Sequence, residues 1–196
     1  MDYPNAVRGA QRIVLASSSP RRAQLLALIT KQFEIVAPKV DEGAPTGPED
    51  LLTAARRKAE AVWPDHREAI VIGADTGVFL AGRHFGKPRD LTEAREMLGG
   101  LAGRWHTVVT GVYLLSPQGR EEALVETRVK FHPLSPEEIN WYLASEEVLD
   151  KAGAYAIQGR AALFVERIEG DFFNVMGFPI ATVYRLLKRL GWRPLP

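Results

Sequence analysis

The feature of this sequence that most limits the possible folds is a long β-hairpin in its second half. A β-rich run at 107–115 leads to a turn, Pro117-Gln118-Gly119, and a second run returns at 124–131. Strands joined by so short a turn pair antiparallel, because a parallel neighbour needs a crossover of about a dozen residues or more. A simple doubly wound parallel sheet is therefore excluded.

Helical segments are interspersed with the strands along the rest of the chain. Apolar residues recur with helical spacing after residue 20 and at 48–62, 91–101, 135–144 and 180–190. Trp141 is expected to face the core from the fourth of these segments. Further strands are predicted at 13–16, 33–37, 69–74 and 163–168. This order predicts an α/β fold in which residues 1–196 form one domain, with a mixed sheet flanked by helices and a cleft between two lobes.

Composition and charge exclude several classes of protein. The formal net charge is +1, which argues against a nonspecific binder of nucleic acid or of a membrane surface. The chain has no cysteine, so disulfides, cysteine-ligated metals and thiol nucleophiles are excluded. No apolar run approaches the roughly 20 residues of a membrane span, and residues 1–12 lack a signal-peptide core. The sequence therefore predicts a cytoplasmic protein.

A serine- and arginine-rich loop, 17–22, joins the first strand to the first helix. Ser19 is a good N-cap for that helix, and Pro20 suits its first position. Hydroxyls, backbone N–H groups and two guanidiniums can converge here on one spot, which suits a phosphate. The side chains concerned are those of Ser17, Ser19, Arg21 and Arg22. The same residues also fit a well-capped surface helix with two solvated arginines, and the loop alone does not decide between the two.

Carboxylates and a lysine in the first half of the chain are further candidate site residues. Asp75 directly follows a buried strand, where ligands bind in open α/β sheets, and strand character resumes at Thr76. Asp41 and Glu42 precede a glycine and form either a solvated turn or part of a hard-cation site. Lys58 lies at the inward edge of a helix, where its head either snorkels to water or reaches into a cleft.

Two later stretches add a lysine and an amide. Lys87 lies between Gly86 and Pro88, an unusual place for a lysine that only confers solubility. Gln158 belongs to a run of small and charged residues, 150–159, that fits either close packing near a ligand or a plain surface loop. If all these groups converge, cations neutralise phosphate oxygens and carboxylates hold a hard metal such as Mg²⁺. Since the P-loop and dinucleotide fingerprints are absent, the residues alone predict a metal-assisted enzyme acting on a phosphate ester or anhydride.

Seven short motifs occur in an order that is highly specific as a set. They are Leu15-Ala16-Ser17-x-Ser19-Pro20-Arg21-Arg22, Asp41-Glu42, Lys58-Ala59, Gly73-Ala74-Asp75-Thr76, Lys87-Pro88, His106-x-Val108-x-Thr110-Gly111 and the run 150–159. Together they resemble the Maf family of nucleoside triphosphate pyrophosphatases over about residues 13–190.

The resemblance implies hydrolysis between the α and β phosphates, giving a nucleoside monophosphate and pyrophosphate, with a divalent metal (Mg²⁺, Mn²⁺ or Co²⁺). It also implies an elongated mixed sheet with a deep cleft, the fold of inosine triphosphate pyrophosphatases, and a homodimer. By the same resemblance, Asp75 is the catalytic base and a metal ligand, and Glu42 helps to hold the metal. Lys58, Lys87 and the serine–arginine loop contact phosphates.

The resemblance also points to a substrate class. Arg21, Thr76 and Gln158 match the branch of the family that acts on dTTP and UTP, and not the branch that acts on 7-methyl-GTP. Arg22 is expected either to bind phosphate or to pair with a nearby acid. Gly77 stands where the family more usually has a larger aliphatic residue, which changes the expected shape of the pocket. The alternatives are a non-enzymatic, nucleotide-binding regulator of septum formation and a pyrophosphatase for ITP, XTP or 7-methyl-GTP.

Overall fold

The computed structural model describes residues 11–40, 43 and 45–194, and these residues contain one mixed sheet. Its strands are β1 (Ile13–Ala16), β2 (Glu34–Val36), β3 (Ile70–Leu80), β4 (Arg83–Phe85), β5 (Trp105–Ser116), β6 (Gly119–Phe131) and β7 (Val165–Glu169). The helices are α1 (Pro20–Leu26), α2 (Pro48–Val62), α3 (Leu91–Leu101), α4 (Pro136–Ser145), α5 (Phe172–Val175) and α6 (Ile180–Arg189).

The strand order confirms the mixed α/β sheet. It is β2-β1-β3-β5-β6-β7, with β4 paired to β3. β1 lies parallel to β2 and β3, and the other pairs are antiparallel. The parallel part precedes the long hairpin in the chain, and β3 is the strand that belongs to both parts of the sheet.

The long hairpin is confirmed, and it extends further than the sequence pattern indicates. β5 and β6 pair from Trp105 opposite Lys130 to Ser116 opposite Gly119. The Ser116 hydroxyl stabilises the turn, because it accepts a hydrogen bond from the Gln118 N–H (3.2 Å) and donates one to the Gly119 carbonyl (3.1 Å). The first residues of β6 are mostly polar and partly exposed, so the apolar pattern begins only after the strand has started.

Strand boundaries differ from the predictions at three places. β2 is shorter than the predicted run. β3 continues without interruption through Asp75, so the carboxylate lies within a strand. The strand expected at 163–168 begins only at Val165, because Arg160–Phe164 forms a 3₁₀ helix.

The four longer helices lie where the periodicity predicts them. α3 begins after Asp90, whose carboxylate accepts a hydrogen bond from the Glu93 N–H at 2.8 Å. α4 begins after Ser135, which forms the expected capping box with Glu138. Ser19 occupies the N-cap position of α1 as predicted, but its side chain makes no capping hydrogen bond there.

The prediction that Trp141 faces the core is wrong. Trp141 is 46% exposed, while Ile139, Tyr142 and Leu143 are the buried residues of α4. Because Trp141 comes two positions after Ile139, it lies on the far side of the helix. Its ring is covered by the guanidinium of Arg160, whose Cζ is 5.3 Å from the ring centroid.

β3 and β5 supply residues to the two largest hydrophobic clusters of the described residues, one in each lobe. At one end of β3, Ile70 and Ile72 pack with residues of α1 and α6. At the other end, Val78 and Leu80 pack with residues of α3 and α4. The helices of the described ranges include none that is long and apolar enough to cross a membrane.

One edge of β3 is unpaired where the two cores meet. β5 pairs with the opposite edge from residue 71 to residue 79. On the edge in question, β1 pairs with residues 70–73 and β4 with residues 78–80, and no other described strand pairs there. The gap at 74–77 contains Asp75 and Thr76. Because successive side chains of a strand point to opposite faces, Asp75 and Thr76 lie on different sides of the sheet.

Helix α2 lies close to the sheet because two glycines face it. A Cβ atom on Gly73 would lie 2.0 Å from the Ala55 carbonyl oxygen, and one on Gly111 would lie 2.5 Å from the α2 backbone. Neither distance is possible for a real Cβ, so only glycine permits this spacing. Gly111 pairs directly with Asp75 in the sheet. The two glycines therefore let α2 bring Lys58 against Asp75.

Candidate functional site

An ion pair between Lys58 and Asp75 lies in the cleft. Lys58 Nζ donates a hydrogen bond to Asp75 Oδ1 at 2.7 Å, and the two side chains are only 4% and 14% exposed. The sequence left open whether the Lys58 ammonium group snorkels to water or reaches into a cleft, and in the structure it reaches into the cleft. Asp75 Oδ2 makes no hydrogen bond with the described part of the chain, so this oxygen is available to a ligand.

On the other face of the sheet, Thr76 is the centre of a hydrogen-bonded group. Its Oγ1 is 3.0 Å from Thr110 Oγ1 and accepts a hydrogen bond from Arg22 Nη2 at 3.1 Å. Arg22 Nε also donates to the Gly177 carbonyl at 3.0 Å. Arg22 thus connects the serine–arginine loop, β3 and the loop after α5.

A buried amide fixes the segment that carries Gly177. Asn174 is fully buried, and its Nδ2 donates to the Val108 carbonyl (3.1 Å) and to Thr127 Oγ1 (3.0 Å). Because these partners belong to β5 and β6, the Gly177 carbonyl is held at a fixed distance from the sheet. Sequence reasoning missed Asn174, since an asparagine in an irregular loop has no distinctive pattern.

At the rim of the cleft, two cations share the carboxylate of Asp150. Arg21 Nη1 is 3.4 Å from Asp150 Oδ2, and Lys151 Nζ is 2.5 Å from Oδ1. Burial by itself would raise the pKa of Asp150, but the hydrogen bond and charge of Lys151, together with Arg21, hold that pKa below its ordinary value. Arg21 therefore forms an ion pair with an acid at the rim, beside the pair that Lys151 forms with the same carboxylate.

The serines of the loop have different surroundings. Ser17 is buried, and its Oγ accepts a hydrogen bond from the Ser19 N–H at 3.1 Å. This bond folds the loop back on itself before α1 begins. Ser19 is partly buried and lines the cleft.

The structure brings nearly all the predicted site residues to one cleft of about 530 Å³. This volume lies in the range of small-molecule sites, which is roughly 300–1,000 Å³. The predicted residues that line it are Ser17, Ser19, Arg21, Arg22, Lys58, Asp75, Thr76, Lys87 and Gln158. Lys87 and Gln158 are exposed at its rim. Glu42 lies outside the described residues.

Two aromatic residues of the cleft were not singled out from the sequence. Tyr155 lines the cleft, and its hydroxyl is 2.9 Å from Nε2 of the buried His106. Burial lowers the pKa of His106 to about 4, so this ring is neutral near pH 7. His84 also lines the cleft and lies opposite Phe79 in the β3–β4 pairing. Such a position is visible only once the strand register is known.

The charges of the cleft suit a polyanion that is held beside a carboxylate. Five cationic side chains line it, and they are Arg21, Arg22, Lys58, Lys87 and Lys151. Asp75 and Asp150 are the acidic side chains among the described lining residues. Within the described ranges, no three histidine, aspartate or glutamate side chains are grouped as a metal site would require. The arrangement can therefore bind phosphates and place a carboxylate next to them.

Comparisons with known proteins agree with this chemistry. A family model described as "Maf-like protein" matches residues 12–190 of the chain. A curated protein from Carboxydothermus hydrogenoformans, named dTTP/UTP pyrophosphatase, is 51% identical over 92% of this chain and 100% of its own length. A protein of the same name from Aquifex aeolicus is 47% identical over 92% of this chain and 96% of its own.

A comparison with solved structures finds the same architecture at low sequence identity. The Staphylococcus aureus Ham1 protein is similar with a TM-score of 0.52 and 15% identity, over 91% of this chain and 99% of that chain. At this identity the likeness shows a shared fold alone.

Proposed function

The chain belongs to the family of Maf-like proteins, and from this membership we propose that it is a nucleoside triphosphate pyrophosphatase acting on dTTP and UTP. It hydrolyses the anhydride between the α and β phosphates and releases the monophosphate and pyrophosphate, a reaction that clears unwanted nucleotides. The observation that best supports the proposal is the Lys58–Asp75 pair, which lies in a cleft lined by cations.

Asp75 is the proposed catalytic base. Its free Oδ2 accepts a proton from a water molecule while the water oxygen attacks the α phosphorus. The bond from the α phosphorus to the oxygen that bridges it to the β phosphorus breaks, and pyrophosphate leaves with the bonding electron pair. Lys58 holds Oδ1 at 2.7 Å and so orients the carboxylate. Lys87 and the serine–arginine loop bind phosphate oxygens and lower the repulsion that the attacking water meets.

We propose a divalent metal, Mg²⁺, Mn²⁺ or Co²⁺, as the cofactor. Asp75 and Glu42 would hold it, because carboxylate oxygens suit hard cations. Each carboxylate oxygen has two lone pairs, so Oδ2 of Asp75 could hold the metal with one and accept the proton with the other, while Oδ1 is bonded to Lys58. When bound, the metal neutralises charge on the phosphate oxygens.

The residues on the Thr76 side are proposed to select the base. Arg21, Thr76 and Gln158 line the same cleft. Arg22 holds the Thr76 hydroxyl and the Gly177 carbonyl in place, so it supports this side of the cleft. Asp150 limits the movement of Arg21 at the rim.

A nucleotide panel tests the proposed function. The purified protein is incubated with dTTP, UTP, ITP, XTP and 7-methyl-GTP, each with Mg²⁺, Mn²⁺ or Co²⁺, and the products are separated. We expect monophosphate and pyrophosphate from dTTP and UTP, and loss of turnover in Asp75→Asn. Asp65→Asn is the matched control, because Asp65 is exposed and outside the cleft. Release of diphosphate and inorganic phosphate, or full activity of Asp75→Asn, would contradict the proposal.

We further propose that residues 1–196 work as one domain within a cytoplasmic homodimer that has no nucleic-acid or membrane partner. Sedimentation velocity tests the assembly: a dimer has about twice the 21.7 kDa of the single chain. A single species at the monomer mass over micromolar concentrations would contradict it.

A further inference from the structure

The ring of His84 occupies space that two glycines leave open. A Cβ atom on Gly77 would lie 2.9 Å from His84 Nε2, and one on Gly86 would lie 3.3 Å from His84 Cε1. Neither glycine has a positive φ, so each backbone could carry a side chain if the imidazole were elsewhere. The Phe79 ring packs against the same imidazole with centroids 5.1 Å apart. The position of the ring is therefore specified by its neighbours.

The sheet geometry puts His84 on the face that carries Asp75. Asp75, Gly77 and Phe79 alternate along β3 and share one face. His84 pairs with Phe79 across the β3–β4 ladder, and directly paired residues lie on the same face. The imidazole therefore lies beside Gly77, the next residue after Asp75 on the face of the sheet that carries the Lys58–Asp75 ion pair. Thr76 lies on the other face.

The imidazole has hydrogen-bonding capacity that the protein does not use. In the described part of the chain, neither ring nitrogen has a hydrogen-bond partner, and neither is fully enclosed. Burial lowers the pKa of His84, and the negative charge of Asp75 offsets this only in part. The neutral ring has one N–H donor and one acceptor nitrogen. Ring nitrogens that are held rigidly, half-buried and unpaired in a cationic cleft can serve a ligand.

We propose that His84 is a substrate-binding residue that donates a hydrogen bond to the phosphate chain. This inference rests on the proposed function, since it assumes that the phosphates of the nucleotide bind on the side of the cleft with Asp75, Lys58 and Lys87. The absence of a side chain at Gly77 makes this hydrogen bond possible, because a Cβ atom there would displace the His84 ring. The ligand chemistry is that of pyrophosphate, which is also a product of the proposed reaction.

Three variants separate a hydrogen bond from simple packing. His84→Phe keeps an aromatic ring against Phe79 but removes both nitrogens. His84→Gln keeps an N–H donor and an acceptor. Gly77→Ala leaves the imidazole in the chain but pushes it from its position. His132→Phe is the matched control, because His132 is exposed and outside the cleft.

Calorimetric titration with inorganic pyrophosphate and with dTMP, in Mg²⁺, is the direct measurement. Loss of a hydrogen bond to a charged group corresponds to roughly a ten- to hundred-fold weaker Kd. We expect that loss for pyrophosphate in His84→Phe and Gly77→Ala, a smaller loss in His84→Gln, and unchanged dTMP affinity throughout. KM for dTTP rises by a similar factor, with a smaller change in kcat. Thermal melting of each variant confirms that it is folded.

Three results would overturn the inference. One is unchanged pyrophosphate affinity in His84→Phe, which would leave the ring only a packing role. Another is a loss confined to dTMP, which would place the contact on the nucleoside. The third is a wild-type protein that does not bind pyrophosphate. Failure of the proposed function has a different signature, because it appears as no release of monophosphate and pyrophosphate by the wild type, whatever the titrations give.

Discussion

Replacing Gly73 by alanine tests whether the close approach of α2 is what places Lys58 against Asp75. The added Cβ would lie 2.0 Å from the Ala55 carbonyl oxygen and 3.0 Å from the Ala59 nitrogen. Both contacts are with helix backbone, which cannot rotate away as a flexible side chain can. Because Gly73 has no positive φ, the strand itself tolerates alanine, and the clash is the whole effect.

The size of the effect follows from the distances. Ordinary contact begins at 3.4 Å, so the helix must move away by about 1.4 Å. A shift of this size lengthens the 2.7 Å hydrogen bond between Lys58 and Asp75 beyond bonding distance. Overpacking of a core costs about 1–3 kcal/mol, and we expect the upper end here. For a chain of this length, about 3 kcal/mol lowers Tm by roughly 6–12 °C.

Thermal melting and steady-state kinetics on dTTP measure the two consequences separately. A misplacement of about 1 Å near the reacting groups can cost roughly a hundred-fold in kcat. Gly99→Ala is the matched control: it lies in α3, and an added Cβ there meets nothing within 4 Å. Alanine in place of a helical glycine stabilises by about 0.5–1 kcal/mol, so this control should melt slightly higher with unchanged kcat.

Two outcomes would refute this reasoning. Wild-type Tm and wild-type kcat in Gly73→Ala would show that the glycine does not set the spacing between helix and sheet. A lowered Tm with unchanged kcat would show that the spacing matters for stability but not for the Lys58–Asp75 pair. In the second case the orientation of the Asp75 carboxylate would have to come from another contact.

The remaining predictions concern two buried ionisable groups. Burial lowers the pKa of His106 from 6.5 to about 4, so above pH 6.5 the ring is neutral in both the folded and the unfolded chain and its contribution to stability is fully present. As the pH drops from 6.5 to 4, the unfolded chain binds a proton at His106 and the folded protein does not, so the free energy of unfolding falls by about 3 kcal/mol. Urea unfolding should show a flatter pH dependence for His106→Gln than for the wild type, and equal slopes would contradict this. Lys58→Met leaves the Asp75 carboxylate without its cation, which costs about 3–5 kcal/mol when a buried pair loses one partner. Lys58→Met combined with Asp75→Asn should recover part of that stability but no activity, and an equally unstable double variant would contradict the ion-pair explanation.

The elements of the fold were predictable where one periodicity dominates. The 48–62 and 91–101 helices have apolar residues at regular helical spacing, and the structure has helices over the same ranges. Trp141 was assigned wrongly because large aromatic residues are usually buried. Its side chain is exposed because it lies about half a helical turn from Ile139, which faces the core. Cation–π contact with Arg160 stabilises the exposed ring, and no local pattern encodes that contact.

The candidate site was predictable as a set of residues but not as a set of pairs. The polar motifs indicated which side chains meet, and most of them line one cleft. The pairing of Arg21 with Asp150 and of Arg22 with Thr76 depends on how the loops cross, since the first pair is separated by 129 residues. His84 could not be found at all without the register that places it opposite Phe79. Glu42 lies outside the described residues, so its metal role stays a prediction.

The continuity of β3 and β5 has a consequence for how the protein opens and unfolds. Each strand supplies residues to both of the two largest hydrophobic clusters, so neither lobe has a complete core without the other. The lobes are thus joined by hydrogen-bonded sheet and not by a linker that could act as a hinge. Melting of one lobe removes the support of its neighbour, and the two are expected to unfold in a single cooperative transition. A ligand bound between them therefore protects amides in both lobes from hydrogen exchange, including those far from the cleft.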